Sequence, residues 1–177
     1  MIETISLSCP IFKSKFQSHS KLKDNILSAI NRLDCSSVDY GSSIITKSDW
    51  NKGKDFHREY MDYLFPDLGY HMEDVYSHYG FKRINIHNCW FQQYEKGSGH
   101  MWHIHMDCQW TNVYYVDIPE GSPFLEVKDP ITKKVSTIEV EEGDILSLPS
   151  FVIHRSPPMQ NDVRKTIISF NSCGDID

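Results

Sequence analysis

The sequence is short of three things. It has no long apolar run: nothing in it approaches the roughly 20 apolar residues that a bilayer-spanning helix requires. It has no concentration of positive charge. Lys and Arg number 18 against 24 Asp and Glu, the formal net charge is -6, and the basic residues are scattered along the chain. That leaves no electrostatic footprint for tracking phosphates, so nucleic acid is disfavoured as a bulk partner, although a single nucleotide stays open. It also has no disulfide framework. The five cysteines (Cys9, Cys35, Cys89, Cys108 and Cys173) are odd in number, widely spaced and without a C-x-x-C pair, which suits free thiols in a reducing cytoplasm. Met1-Ile2-Glu3 does not lead into an apolar stretch of the secretory kind. The expectation is a soluble cytoplasmic protein with no membrane partner, its oligomeric state left open. Internal repeats and low-complexity segments are likewise missing.

What is present is enough for one globular unit. With 177 residues, 40% of them hydrophobic, the chain can bury an ordinary core, and the length favours a single domain over 1–177. The first ten residues alternate weakly and suit an opening strand that ends at Pro10. From Ser20, the residues Leu22, Ile26, Ala29, Ile30 and Leu33 fall at helical spacing. Residues 34–54 read as loop, with a brief strand at Ile44-Ile45. Residues 55–64 and 67–79 again show helical spacing, split at Pro66 and ended at Gly80.

After Gly80 the apolar period drops from about 3.6 to 2. Strands are expected over 84–94, 102–107, 111–118, 124–127, 135–140, 145–148, 151–154 and 164–171, with turn residues every eight to twelve positions. This is the pattern of a sandwich or barrel. The fold class expected is mainly β with N-terminal helices (α+β): helical support over 18–80 packed on the outer face of a jelly-roll core over 81–172.

Within the β region, Trp102-His103-Ile104-His105-Met106-Asp107 carries the chemistry. On a strand, His103, His105 and Asp107 share one face, and two imidazoles with a carboxylate on one side of a metal resemble a facial triad. H-x-D by itself is no rarer than chance in a chain with 9 histidines. Two decoys, His57-Arg58-Glu59 and His71-Met72-Glu73, lie in segments of helical period, where positions i and i+2 diverge. His105-Met106-Asp107 is the match that falls in a strand. His154, amid Phe151, Val152 and Ile153, is expected to supply the third ligand; a core histidine satisfied by a backbone carbonyl is the competing reading. Arg164 shares a strand face with Thr166, Ile168 and Phe170. Its apolar members mark that face as buried, so the guanidinium needs an anion. A dicarboxylate would provide one, with Thr166 adding a hydroxyl; an internal salt bridge to Asp117 or Asp144 is the alternative.

His105-x-Asp107, His154 and Arg164 with Thr166 resemble the H-x-D…H…R-x-S/T pattern of the Fe(II)/2-oxoglutarate-dependent oxygenases, which are built on a double-stranded β-helix. The run from Asn88-Cys89-Trp90-Phe91 through Tyr94-Glu95-Lys96-Gly97 to Val113-Tyr114-Tyr115, extended by Leu148-Pro149-Ser150-Phe151 and Ile168-Ser169-Phe170-Asn171, is similar to a small prolyl-hydroxylase-like branch found in phages and marine bacteria. The resemblance implies that His105, Asp107 and His154 hold Fe(II). It implies that Arg164 pairs with the distal carboxylate of 2-oxoglutarate, that Tyr115 donates to it and that Tyr94 lines the same pocket. It also implies O₂ as a cosubstrate, ascorbate as an accessory reductant, release of succinate and CO₂, and, for a phage-borne chain, a host cytoplasm.

Two departures stand out. Thr111-Asn112 replaces a Ser-Gly pair, and His103 shares the metal-facing side, where it either rivals His105 or supports it; H-x-D favours His105. The tryptophans Trp90, Trp102 and Trp110 could line a substrate cavity or belong to the core. A non-catalytic β-sandwich module and a cupin-type metalloprotein that does not use 2-oxoglutarate remain as alternatives. The intact ligand set argues against the first and Arg164 against the second.

Overall fold

The computed structural model describes residues 9–175. The elements run β1 (Phe12–Lys15), α1 (His19–Arg32), β2 (Val38–Asp39), β3 (Ile44–Ile45), β4 (Lys47–Ser48), α2 (Glu59–Ser77), β5 (Arg83–Tyr94), β6 (His100–His103), β7 (Trp110–Asp117), β8 (Leu125–Lys128), β9 (Val135–Ile138), β10 (Asp144–Pro149), β11 (Ile153–Ser156) and β12 (Lys165–Asp175). A six-stranded sheet, ordered β1-β10-β7-β12-β5-β4, faces a four-stranded sheet, ordered β6-β11-β8-β9. The pairings within both are antiparallel. From β5 onward chain-order neighbours alternate between the sheets, apart from the β8–β9 pair within the smaller one, which makes the body a double-stranded β-helix with the helices on the outside of the larger sheet.

The larger sheet is buried on both faces, and this decides where each side chain goes. One face meets the helices: Phe91, Tyr114, Ile145, Ile168 and Phe170 pack with Ile26, Ile30, Leu64 and Met72. The other faces the smaller sheet, where Tyr94, Val113, Tyr115, Leu146 and Ile167 meet Leu125. Each fully buried aliphatic side chain of this kind contributes about 1.5–3 kcal/mol, so both faces hold the fold together.

Two expectations change here. Residues 59–77 form one helix through Pro66 and not two. Pro66 and Asp62, whose carbonyl loses its partner, both lie on the exposed side, where water can satisfy the freed oxygen, while Leu64, Leu68, Met72 and Tyr76 anchor the opposite side. The opening strand foreseen in the first ten residues lies almost wholly outside the described residues, and the first described strand is β1.

Beneath the helices, Asp49 is fully buried. Its carboxylate accepts from Arg58 Nε at 2.7 Å, Tyr60 Oη at 2.9 Å and the Phe91 amide at 2.9 Å. It staples the 34–58 connection to β5, the strand that carries Trp90 and Tyr94.

Candidate metal centre

The strand expected over 102–107 ends at His103. β6 pairs with β11, with His103 opposite His154. Beyond it, the His105 amide donates to the carbonyl of Ser150, past the end of β10, at 2.9 Å. The chain then turns through Asp107 at φ 60, a left-handed conformation that Asp tolerates better than most residues. The alternation that would put His103, His105 and Asp107 on one face is therefore broken. The turn leaves Asp107 on the lining of an outer cavity and outside the group of histidines that converge.

Three histidines converge instead. The ligand atoms of His103, His105 and His154 all lie within 4.8 Å of one another. Each ring has its Nδ1 against an oxygen acceptor: His103 against Met101 O at 2.7 Å, His105 against Asn171 Oδ1 at 3.1 Å, His154 against Val152 O at 2.8 Å. Nδ1 thus carries the proton in all three, and every Nε2 is left with its lone pair. Acceptors of this kind fix the tautomer and orientation of metal-binding imidazoles. The Thr111 hydroxyl lies 3.4 Å from His105 Nε2. The backbone-bonded core histidine raised as the competing reading for His154 turns out to be half of this arrangement: the same carbonyl bond aims the other nitrogen.

Burial keeps these rings neutral. It holds His105 down at about 4 and His154 at about 3, with a smaller contribution from neighbouring histidines, and it lowers His103. His100, stacked on His103 with centroids 3.9 Å apart, is pulled to about 3 by the same burial. A neutral imidazole is the form that binds a metal.

Gly99 sets the entry to β6. A Cβ there would stand 2.8 Å from Ser156 O and 2.9 Å from Pro158 N, so only glycine lets the segment before His100 lie against the segment after His154.

From the histidines a narrow inner cavity of about 30 Å³ leads inward past Tyr94, Leu125, Ser156 and Ile167. Against two of these lining residues, Ser156 and Tyr94, lies a buried lysine. Lys165 is 2% exposed; Nζ donates to Ser156 Oγ at 2.9 Å and Pro123 O at 3.0 Å, and it stands 5.1 Å from the centre of the Tyr94 ring. It has no carboxylate partner among the described residues, and burial pulls it down to about 8. On the neighbouring strand Tyr115, opposite Ile167, has a buried hydroxyl without a hydrogen-bond partner.

Arg164 is not where its strand phase suggested. Its side chain is 52% exposed and paired with Glu95, Nε to Oε1 at 2.8 Å. Thr166 Oγ1 accepts from Gln93 Nε2 at 3.3 Å. The phase itself is right, since Thr166, Ile168 and Phe170 do share a face, but that face packs on the helices. Lys165, Ile167, Ser169 and Asn171 face the interior. Apolar residues mark a buried face, and in a sheet covered on both sides they do not say which one. The salt-bridge alternative for Arg164 is thus met in kind, with Glu95 in place of Asp117 or Asp144.

An outer cavity of about 410 Å³ opens in front of the histidines, walled by Tyr40, Trp50 and Trp90, with Asp107 and Asn88 also lining it. Asn88, at φ 53, is the extra residue of a bulge where β5 slips against β12, a device common beside active sites. Trp90 stacks on His105, centroids 5.9 Å apart. Trp110 belongs to the core with Phe12 and Tyr76, and Trp102 lies beneath Lys128 and Arg155. Sequence reasoning passed over Lys165, Trp50 and the role of Asn171. The inward phase of β12 would have flagged Lys165 and Asn171; nothing in the sequence marks Trp50.

Residues 88–171 match the model of a family described as putative 2OG-Fe(II) oxygenase. Among solved structures, an oxidoreductase of the 2OG-Fe(II) oxygenase family from Burkholderia pseudomallei shares 11% identity over 92% of this chain and 84% of its own, with a TM-score of 0.72. The viral collagen prolyl hydroxylase of Paramecium Bursaria Chlorella virus-1, in complex with 2OG, shares 16% over 94% and 96%, with a TM-score of 0.58. HygX from Streptomyces hygroscopicus, solved with nickel, 2-oxoglutarate and hygromycin B, shares 14% over 94% and 83%, with a TM-score of 0.64. Identities this low speak for the fold alone. A sequence search of curated proteins returns no match. The family match covers β6 and most of β12, and the solved 2OG-Fe(II) oxygenases share the fold over nearly the whole length: the chain has their fold, and its residues 88–171 are similar to that family.

Proposed function

We propose that this chain is an Fe(II)- and 2-oxoglutarate-dependent dioxygenase that hydroxylates its substrate and releases succinate and CO₂, with His103, His105 and His154 as the iron ligands. The observation that carries this is the committed Nδ1 of all three rings, which leaves three Nε2 lone pairs directed at one place. Iron(II) so held supplies the redox chemistry that couples O₂ and 2-oxoglutarate to oxidation of a substrate C–H bond.

The protein's own residues do the rest. Three neutral imidazoles bring no negative charge, so the metal's charge is left for an anionic cosubstrate to balance. Lys165 and Tyr115 would take the distal carboxylate of 2-oxoglutarate: a buried ammonium without an anion and a buried hydroxyl without an acceptor are each satisfied by one carboxylate. The inner cavity is narrow, so the diacid would spread its walls on entry. Tyr94 shields that end from water, and Trp90 shields His105. Arg164 and Thr166 have no part in this reading, and Asp107 stands at the outer cavity.

The test is anaerobic Fe(II) loading followed by O₂ and 2-oxoglutarate, with ascorbate present, measuring succinate in the absence of a prime substrate. Succinate formed in step with 2-oxoglutarate consumed is expected. Inability to bind Fe(II) or 2-oxoglutarate would refute the proposal.

A further inference from the structure

The outer cavity has a chemistry of its own. Trp50 and Trp90 meet at 67° with centroids 4.5 Å apart and form a corner of two indoles, and Tyr40 stands on the same cavity. The one side chain with a formal charge among its lining residues is Asp107, whose carboxylate has no cation or hydrogen-bond donor among the described residues. Among the described residues no Lys or Arg lines the cavity, and three basic residues of the neighbouring strands are committed elsewhere. Lys128 lies 4.0 Å and Arg155 4.6 Å from the centre of the Trp102 ring, Arg155 is paired with Glu126 at 2.6 Å, and Arg164 is held by Glu95. A phosphate or carboxylate entering this cavity would find no protein cation to receive it.

Indole faces and an unpaired carboxylate both attract positive charge, and an alkylated ammonium suits them best because its apolar surface is buried while its charge meets the π-faces. We infer that the outer cavity recognises an organic cation, an alkylated ammonium or a comparable cationic side chain, seated between Trp50, Trp90 and Asp107. The inference rests on the oxygenase reading only in taking that occupant for the substrate. The cavity's volume of about 410 Å³ admits a small molecule or one side chain, and Met106 and Ile104, exposed at its lining, offer apolar contact to whatever carries the cation.

Three probes of nearly one shape test it: choline, its neutral isostere 3,3-dimethyl-1-butanol, and the anion 3,3-dimethylbutanoate. Each is titrated calorimetrically into the full chain, both metal-free and loaded with Ni(II) and 2-oxoglutarate. Choline is expected to bind about ten-fold more tightly than the alcohol, with the carboxylate weakest. Trp50→Ala and Asp107→Asn should each remove most of that preference and leave Ni(II) retention unchanged. Equal binding of choline and the alcohol, preference for the carboxylate, or a choline preference that survives both substitutions would overturn the inference. A choline preference in a chain that retains neither Ni(II) nor 2-oxoglutarate would leave the cation site standing and sink the oxygenase reading; metal and 2-oxoglutarate binding without a choline preference would do the reverse.

Discussion

His103 and His154 are register partners across the β6–β11 pair, their ring centroids 4.3 Å apart. A strand pairing therefore brings together two histidines about fifty residues apart in sequence. It places His103 in the cluster and makes a prediction about its rival. His103→Ala should weaken Ni(II) or anaerobic Fe(II) binding by about a hundred-fold or more, since a lost ligand costs more than the 10–100-fold typical of a lost supporting bond, while Asp107→Asn should change it by less than about three-fold. Titration of both variants decides; iron lost on Asp107→Asn and kept on His103→Ala would restore the H-x-D assignment.

Asn171 supports His105 through a single side-chain bond. Asn171→Leu keeps the approximate volume and removes the acceptor, so the ring is free to turn. Metal affinity should fall about 10–100-fold with the thermal midpoint of the metal-free chain little changed. An unchanged affinity would mean that packing alone orients His105.

Lys165 and Arg164 are adjacent in sequence and opposite in placement. Lys165→Met should abolish measurable 2-oxoglutarate binding, whereas Arg164→Ala should alter it by less than about two-fold, as expected for an exposed ion pair. The ammonium is the binding form, so affinity is full below about 8, the value set by burial of Lys165, and declines above it. Between pH 8 and pH 9 the dissociation constant should rise roughly five-fold, and Lys165→Arg, which stays charged, should flatten that rise. A profile as steep in Lys165→Arg as in the unaltered chain would assign the titration to another group.

The histidine cluster should make the metal-free protein sensitive to mild acid. His100, His105 and His154 are held at about 3, 4 and 3 by burial, against an ordinary value of 6.5 in the unfolded chain. Their folded-state values are lowered, so between about 4 and 6.5 the unfolded chain binds protons that the folded chain does not. Stability is full above 6.5 and is lost as pH falls, by at most about 1.4 kcal/mol per pH unit for each excess proton. Urea unfolding between pH 7.5 and pH 5 measures the slope, which should be shallower in His100→Gln. Identical slopes would show that the cluster does not carry the effect.

Much of this was legible from one dimension. The change of apolar period after Gly80 announced the β body, and the strands expected over 84–94, 111–118 and 145–148 match β5, β7 and β10 to within a residue or two, because alternation over a half-buried pleat is a local property. The histidines and the two tyrosines were likewise singled out in advance. What local pattern could not convey was which of two buried faces looks into the barrel, and so Arg164 was read as interior when its neighbour Lys165 is. It also could not convey where β6 runs out of partner. That point depends on the length of β11 and the carbonyl of Ser150, and it breaks the alternation, so that His103 and His105 stay together while Asp107 lies aside.

The sequence by itself determined the kind of fold and supplied the chemical groups, since periodicity and residue type act over a few neighbouring positions. Tertiary structure decided which groups meet. The committed Nδ1 of each histidine, the unpaired ammonium of Lys165 and the indole corner at Trp50 and Trp90 all arise from contacts between segments far apart in the chain, whose register is set by packing across two sheets.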